Sequence, residues 1–151
     1  ILKNVHFRIK DVFKKNDERD FLNSYNLKIL DSNSNIFQYM KGSDLVVHMY
    51  NSTGVLECLS LNIPTMFYWP DSKNYRNYYD DDFISFCKDK QIFCETAETL
   101  VENIIEKFHD IDEWWNQNKL QSERRFICEQ YSALPDKNSL KELTKKIKYE
   151  K

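Results

Sequence analysis

Apolar residues along the chain gather in short runs that alternate with segments of helical spacing, and this rhythm predicts the elements. Residues 2–9 ("LKNVHFRI") alternate and then turn apolar, as a strand does. Residues 11–25 repeat Val12, Phe13, Phe21, Leu22 and Tyr25 at helical spacing. A short strand over 26–30 ends in the turn-prone "DSNSN", and a brief helix turns Ile36, Phe37 and Met40 inward, with Gly42 just past its end. Residues 44–49 ("DLVVHM") are apolar on both faces, which predicts the central strand of a parallel sheet.

Residues 53–62 read as a helix burying Val55, Leu56 and Leu59, and the next strand, over 64–69 ("PTMFYW"), is entered through a proline. A polar, aromatic-rich loop over 71–82 leads into a helix carrying Phe83, Ile84, Phe86 and Cys87, followed by a short strand at 92–94. Thr96 then reads as the N-cap of an amphipathic helix that places Leu100, Val101, Ile104, Ile105 and Phe108 on one face. Residues 112–131 read as one long helix with Trp114, Trp115, Leu120, Phe126 and Ile127, and a short basic helix closes the chain.

Strand and helix alternate throughout, so the expected class is α/β. The expectation is a Rossmann-like, doubly wound, mostly parallel sheet of at least four strands, with helices on both faces and extra helices over 110–151. Ligands of such sheets bind beyond the carboxyl ends of the strands, which directs attention to the loop after Met49.

Composition narrows the class further. The 151 residues are 41% apolar and 30% charged, with a net charge of -2, an ordinary balance for a single folded domain that gives no reason to expect nucleic acid. No apolar stretch approaches the ~20 residues of a membrane helix, which leaves peripheral membrane association open. Cys58, Cys87, Cys94 and Cys128 include no C-x-x-C pair, so reduced core thiols and a cytoplasmic location are expected. The chain opens on "ILKNVHFRIK", without methionine and already strand-like, which predicts a fragment of something larger.

The chemistry concentrates in "YNSTG", between a strand-like run and a helix-like one, where one of the chain's two glycines stands. The first N–H groups of a helix lack partners within it and carry partial positive charge. Asn51, Ser52 and Thr53 with Gly54 therefore form a candidate anion site, with hydroxyl donors and a backbone that a phosphate can approach closely. The same residues also fit a plain N-cap. Glu57 follows Thr53 by one turn, where its carboxylate can accept from paired hydroxyls such as those of a ribose, or merely complement the helix dipole.

His48 reads as a core histidine, and no histidine pair has metal spacing. Asp80, Asp81 and Asp82 read as dipole-complementing acids rather than a cation site. The two glycines cannot make a dinucleotide fingerprint or a Walker loop, and no G-x-S-x-G elbow occurs.

The segment "STGVLECLSLNIPTMFYW" resembles the donor side of GT-B glycosyltransferases, where a small-residue loop precedes a helix with L-E, then a proline and a strand. The wider pattern "SDLVVHMYNST…LSLNIPTMFYWPD…YR" is similar to bacterial surface-polysaccharide transferases and to CDP-glycerol glycerophosphotransferases of wall teichoic acid synthesis. Asp44, Tyr50, Ser52, Thr53, Asp71, Tyr75 and Arg76 match that outline, while Tyr50 stands where many GT-B enzymes carry an acid.

The resemblance implies that Glu57 contacts the nucleotide ribose, that the loop and helix start contact the donor phosphates, and that Arg8, Lys10 or Arg76 meets the diphosphate. It implies the donor-nucleotide half of a two-domain transferase, residues 1–151 forming one Rossmann-like domain. The substrate would be a nucleotide-activated donor, with neither cofactor nor metal. An acceptor domain in the same chain would carry the general base, and this half alone would be inactive. The competing expectation is a non-catalytic, doubly wound module that binds a nucleotide or a protein partner. A receiver domain does not fit, because no paired acids follow the first strand.

Overall fold

In the computed structural model, residues 5–9, 17–31, 33–50, 52–70 and 81–132 are described. The chain separates into two compact units, Ile1–Tyr39 and Met40–Lys151. The first pairs β1 (His6–Phe7) in parallel with β2 (Lys28–Ile29), the connection between them including α1 (Asp17–Ser24). Leu30 N–H extends that ladder by donating to the Phe7 carbonyl at 2.7 Å. Phe21 and Tyr25, which recur at helical spacing, are exposed, and their rings pack on each other.

The division falls within α2 (Ile36–Lys41), whose last two residues, Met40 and Lys41, belong to the second unit. Met40 is buried as expected, but Phe37 is exposed. Gly42 follows the helix end without a positive φ, so no left-handed glycine cap forms there.

The elements of this unit alternate: β3 (Val46–His48), α3 (Thr53–Ser60), β4 (Thr65–Tyr68), α4 (Asp81–Asp89), β5 (Phe93–Cys94) and α5 (Ala97–Lys107). Its strands form one parallel sheet in the order β3-β4-β5. Consecutive residues of a strand face opposite sides of a sheet, and Met66 and Phe67 of β4 are both fully buried. Both faces of β4 are therefore covered, as in a Rossmann-like α/β fold.

The parallel sheet was expected, but its centre is displaced. Among the described residues β3 pairs with β4 alone, and its three residues are half-buried, so β4 is central and β3 lies at the edge. Two apolar runs of similar length look alike in sequence, although one of them lacks a second neighbouring strand. Among the described residues, the strands of the expected sheet of at least four fall in the two units separately, three in one and two in the other.

Three helix ends share one closure. Asn26, Asn62 and Gln91 adopt φ of 52°, 57° and 58° just past α1, α3 and α4. After each, an N–H reaches six residues back inclusive: Leu27 to Leu22, Ile63 to Cys58 and Ile92 to Cys87, at 3.1, 2.9 and 2.8 Å. This is the Schellman arrangement that glycine usually serves. Here asparagine and glutamine accept the left-handed conformation, and each closure turns the chain directly into a strand.

The residues expected to form one long helix over 112–131 divide into α6 (Ile111–Trp115) and α7 (Asn118–Tyr131). Gln117 leaves helical geometry with ψ of 130°, and Gln121 reaches back to donate to the Trp115 carbonyl at 2.8 Å. The break lets adjacent Trp114 and Trp115 both be buried, which one continuous amphipathic face disfavours.

Helix α5 is also turned from the expected face. Leu100, Asn103 and Lys107 are buried, Ile104 is half-buried, and Val101, Ile105 and Phe108 are exposed. The polar pair succeeds inside because each group is partnered. Asn103 donates to Cys94 Sγ at 3.4 Å and accepts from Gln91 Nε2 at 3.3 Å. Lys107 runs toward the Trp114 ring and pairs with Glu106 at 3.0 Å. On α7, Phe126 is exposed while Arg124 turns inward to donate to the Leu59 carbonyl, joining α7 to α3.

Candidate functional site

The turn from β3 into α3 is built by contrasting preferences. Val46 and Val47 suit the strand, while Val55, Cys58 and Leu59, at helical spacing, pin α3 to the core. The remaining first-turn residues, Thr53 and Gly54, are free to face the carboxyl edge of the sheet.

Ser52 occupies the N-cap position of α3 with extended backbone (φ -141°, ψ 155°), yet its side chain makes no capping hydrogen bond. Its hydroxyl lies 3.3 Å from His48 Nδ1 instead. Thr96, at the equivalent position before α5, does cap, accepting from Thr99 N–H at 3.1 Å. The plain N-cap reading of Ser52 is thus replaced by a contact across the turn.

Thr53 and Glu57 are exposed on the same side of α3. Among the described residues no hydrogen bond or ion pair engages the Glu57 carboxylate. Gly54 is half-buried against the imidazole: a Cβ there would lie 2.6 Å from His48 Cε1 and 3.2 Å from Nδ1. The glycine opens space that the ring occupies, a reason the sequence did not suggest. Met49 and Tyr50 continue the edge as exposed side chains.

His48 was read from sequence as an ordinary core histidine. Both of its ring nitrogens have partners, Ser52 at Nδ1 and Cys58 Sγ at Nε2, 3.6 Å away. Burial pushes its pKa below the usual imidazole value. Burial also pushes the Cys58 thiol up to about 12, opposed by a hydrogen bond from Thr65 and reinforced by Glu57. A histidine ending a strand four residues before a serine was the available signal for this contact.

Ser52, Thr53, Gly54 and Glu57 therefore come together at the opening of α3. Arg8 is exposed just after β1 in the other compact unit. Lys10, Asn51 and Arg76 lie outside the described residues, as do Asp71 and Tyr75.

Residues 1–147 match the LIC12162 family transferase. The chain belongs to this family. No curated protein and no solved structure matches it. Membership makes this chain part of a transferase family, and a transferase needs a site that holds an activated group. The opening of α3 offers backbone N–H groups, two hydroxyls and a carboxylate within two helical turns. Among the described residues, no helix is long and apolar enough to cross a membrane, and no three His, Cys, Asp or Glu side chains gather as metal ligands.

Proposed function

We propose that this family member binds a nucleotide-activated donor and forms the donor half of a GT-B-type glycosyl- or glycerophosphotransferase acting in bacterial surface polysaccharide synthesis. The diphosphate rests on the opening of α3, against Ser52, Thr53 and the backbone at Gly54. The ribose hydroxyls donate to Glu57. Charge developing on the leaving diphosphate is stabilised by the helix N-terminus and the hydroxyls, with a basic residue adding to them. An acceptor domain of the same chain would supply the general base.

The observation that carries this reading is Ser52, a residue in the N-cap position that does not cap, beside an exposed carboxylate one turn further on. The test is calorimetry and NMR shift mapping of the full-length protein with UDP, CDP, GDP and CMP. Loss of one hydrogen bond costs about 0.5–3 kcal/mol, so Glu57→Gln should weaken binding roughly two- to a hundredfold with the fold intact. If every nucleotide leaves residues 52–57 unperturbed, the donor reading fails.

A further inference from the structure

The rotation of α5 leaves an apolar stripe in solvent. Val101, Ile105 and Phe108 are 53%, 66% and 40% exposed, and their helical spacing aligns them over two turns. Glu98, Glu102 and Glu106 are exposed along one border of the stripe. Single apolar residues on a surface are ordinary, whereas a contiguous stripe marks a contact surface.

The acidic border selects a basic partner, and the chain itself carries one. Residues 139–149 ("SLKELTKKIKY") lie outside the described residues, and their sequence reads as a basic helix. At helical spacing Leu140, Leu143 and Ile147 share one side, two turns long like the stripe, with Lys141 and Lys148 beside them.

Sheet geometry decides which copy supplies that segment. His48 is in register with Phe67 and meets Cys58 of α3, so α3 covers that face of the sheet. Cys94 is in register with Tyr68, one residue further on, and accepts from Asn103 of α5, so α5 covers the opposite face. The described chain ends at Ser132, whose hydroxyl lies 2.6 Å from that of Ser60 on α3. From that layer to the outer side of α5 is about 25 Å in a straight line through the sheet. Residues 133–138 reach at most about 25 Å when fully extended, and they must pass around the sheet rather than through it. The chain's own end therefore falls short of its own stripe.

We propose that the exposed stripe of α5 is an interface between two copies of this chain, each receiving on its α5 the lysine-rich segment 139–149 of the other. The inference is separate from the donor reading and stands or falls without it. One two-turn helix pair is a small contact. Reciprocal exchange about a two-fold axis doubles it, toward the roughly 1,000 Å² that a specific interface needs.

The experiment is sedimentation equilibrium of the full-length protein at rising concentration, where wild type should pass from monomer to dimer. Ile105→Asp, at an exposed position that the fold does not need, should weaken the dimer roughly ten- to a hundredfold, as for one apolar side chain lost from an interface. Lys141→Glu with Lys148→Glu should weaken it too, and adding Glu98→Lys with Glu102→Lys should restore it. In a mixture of ¹⁵N-labelled wild type with unlabelled protein carrying a nitroxide at Glu150→Cys, the amide signals of Val101 and Ile105 should broaden. A monomer at every concentration overturns the inference, as does a dimer indifferent to Ile105→Asp or to the lysine reversals. Broadening within a chain that carries both labels, with none in the mixture, assigns the stripe to the chain's own end and overturns the exchange.

Discussion

Gly54 and His48 occupy one another's space: a side chain on the glycine would bring its Cβ to 2.6 Å from Cε1 of the ring. The ring cannot swing away without cost, because Ser52 and Cys58 hold its two nitrogens. Nor is the glycine there for its backbone, since its φ is not positive.

Gly54→Ala is accordingly expected to destabilise the protein by about 1–2 kcal/mol, the overpacking cost of ~1–3 reduced by the better helix propensity of alanine. In a His48→Ala background the clash is gone, and the same substitution should stabilise by roughly 0.5–1 kcal/mol. Urea unfolding of the two single variants and the double variant gives the coupling. An additive result would show that the two residues do not compete for space.

Asn62 carries a second test. It holds φ of 57° at the end of α3, and its Oδ1 accepts from Trp115 Nε1 at 3.0 Å. Asn62→Gly keeps the backbone easy and leaves the buried indole N–H unpaired, for about 1–3 kcal/mol. Asn62→Ala adds left-handed strain of about 1–2 kcal/mol to that loss. Alanine should therefore be the worse of the two by denaturation midpoint, although it is the better helix former.

Asn62 also explains what the sequence made legible. The alternation of strands and helices, the parallel pairing and the position of α3 followed from apolar spacing. The cluster of Ser52, Thr53, Gly54 and Glu57 was named from a small polar loop between a strand and a helix, and these residues do stand at the opening of α3. Helix ends at Asn26, Asn62 and Gln91 were harder, since the closure uses residues that read equally well as loop.

The rotation of α5 was hidden for a different reason. Asn103 and Lys107 look like surface residues until Gln91, Cys94 and Glu106 are seen to satisfy them. His48 was hidden because its partners lie across a turn, and no periodicity connects residues 48, 52 and 58. The central place of β4 over β3 was not legible at all, because strand pairing depends on which neighbours exist.

The cysteines give an alkaline prediction. All four are buried and free, as their spacing suggested. Burial raises the thiols of Cys58, to about 12, and of Cys87 and Cys94 above the ordinary 9.0. In the unfolded chain these thiols ionise near the ordinary value, so the unfolded state loses protons first as pH rises. Stability is fully present below that value and falls as pH rises toward 12. The urea midpoint should drop between neutral pH and about pH 10, and less steeply in Cys87→Ala. Ellman's reagent should find four thiols in denaturant and react with them far more slowly in the native protein.

Thr96 and Ser52 stand at the same kind of strand-to-helix junction, and only the first of them caps its helix. Thr96→Ala removes the acceptor for Thr99 N–H and should cost about 0.5–2 kcal/mol, with nucleotide binding unchanged. Ser52→Ala removes no cap. Its hydroxyl meets a half-buried imidazole that keeps Cys58 as a partner, so a stability loss below about 1 kcal/mol is expected. The same substitution should weaken nucleoside diphosphate binding about three- to thirtyfold, a loss of ~0.7–2 kcal/mol. Thermal melts and calorimetry on both variants separate the roles, one residue serving its helix and the other serving a ligand. If Ser52→Ala instead lowers stability as much as Thr96→Ala does and leaves binding untouched, Ser52 is structural and the opening of α3 is not the donor site.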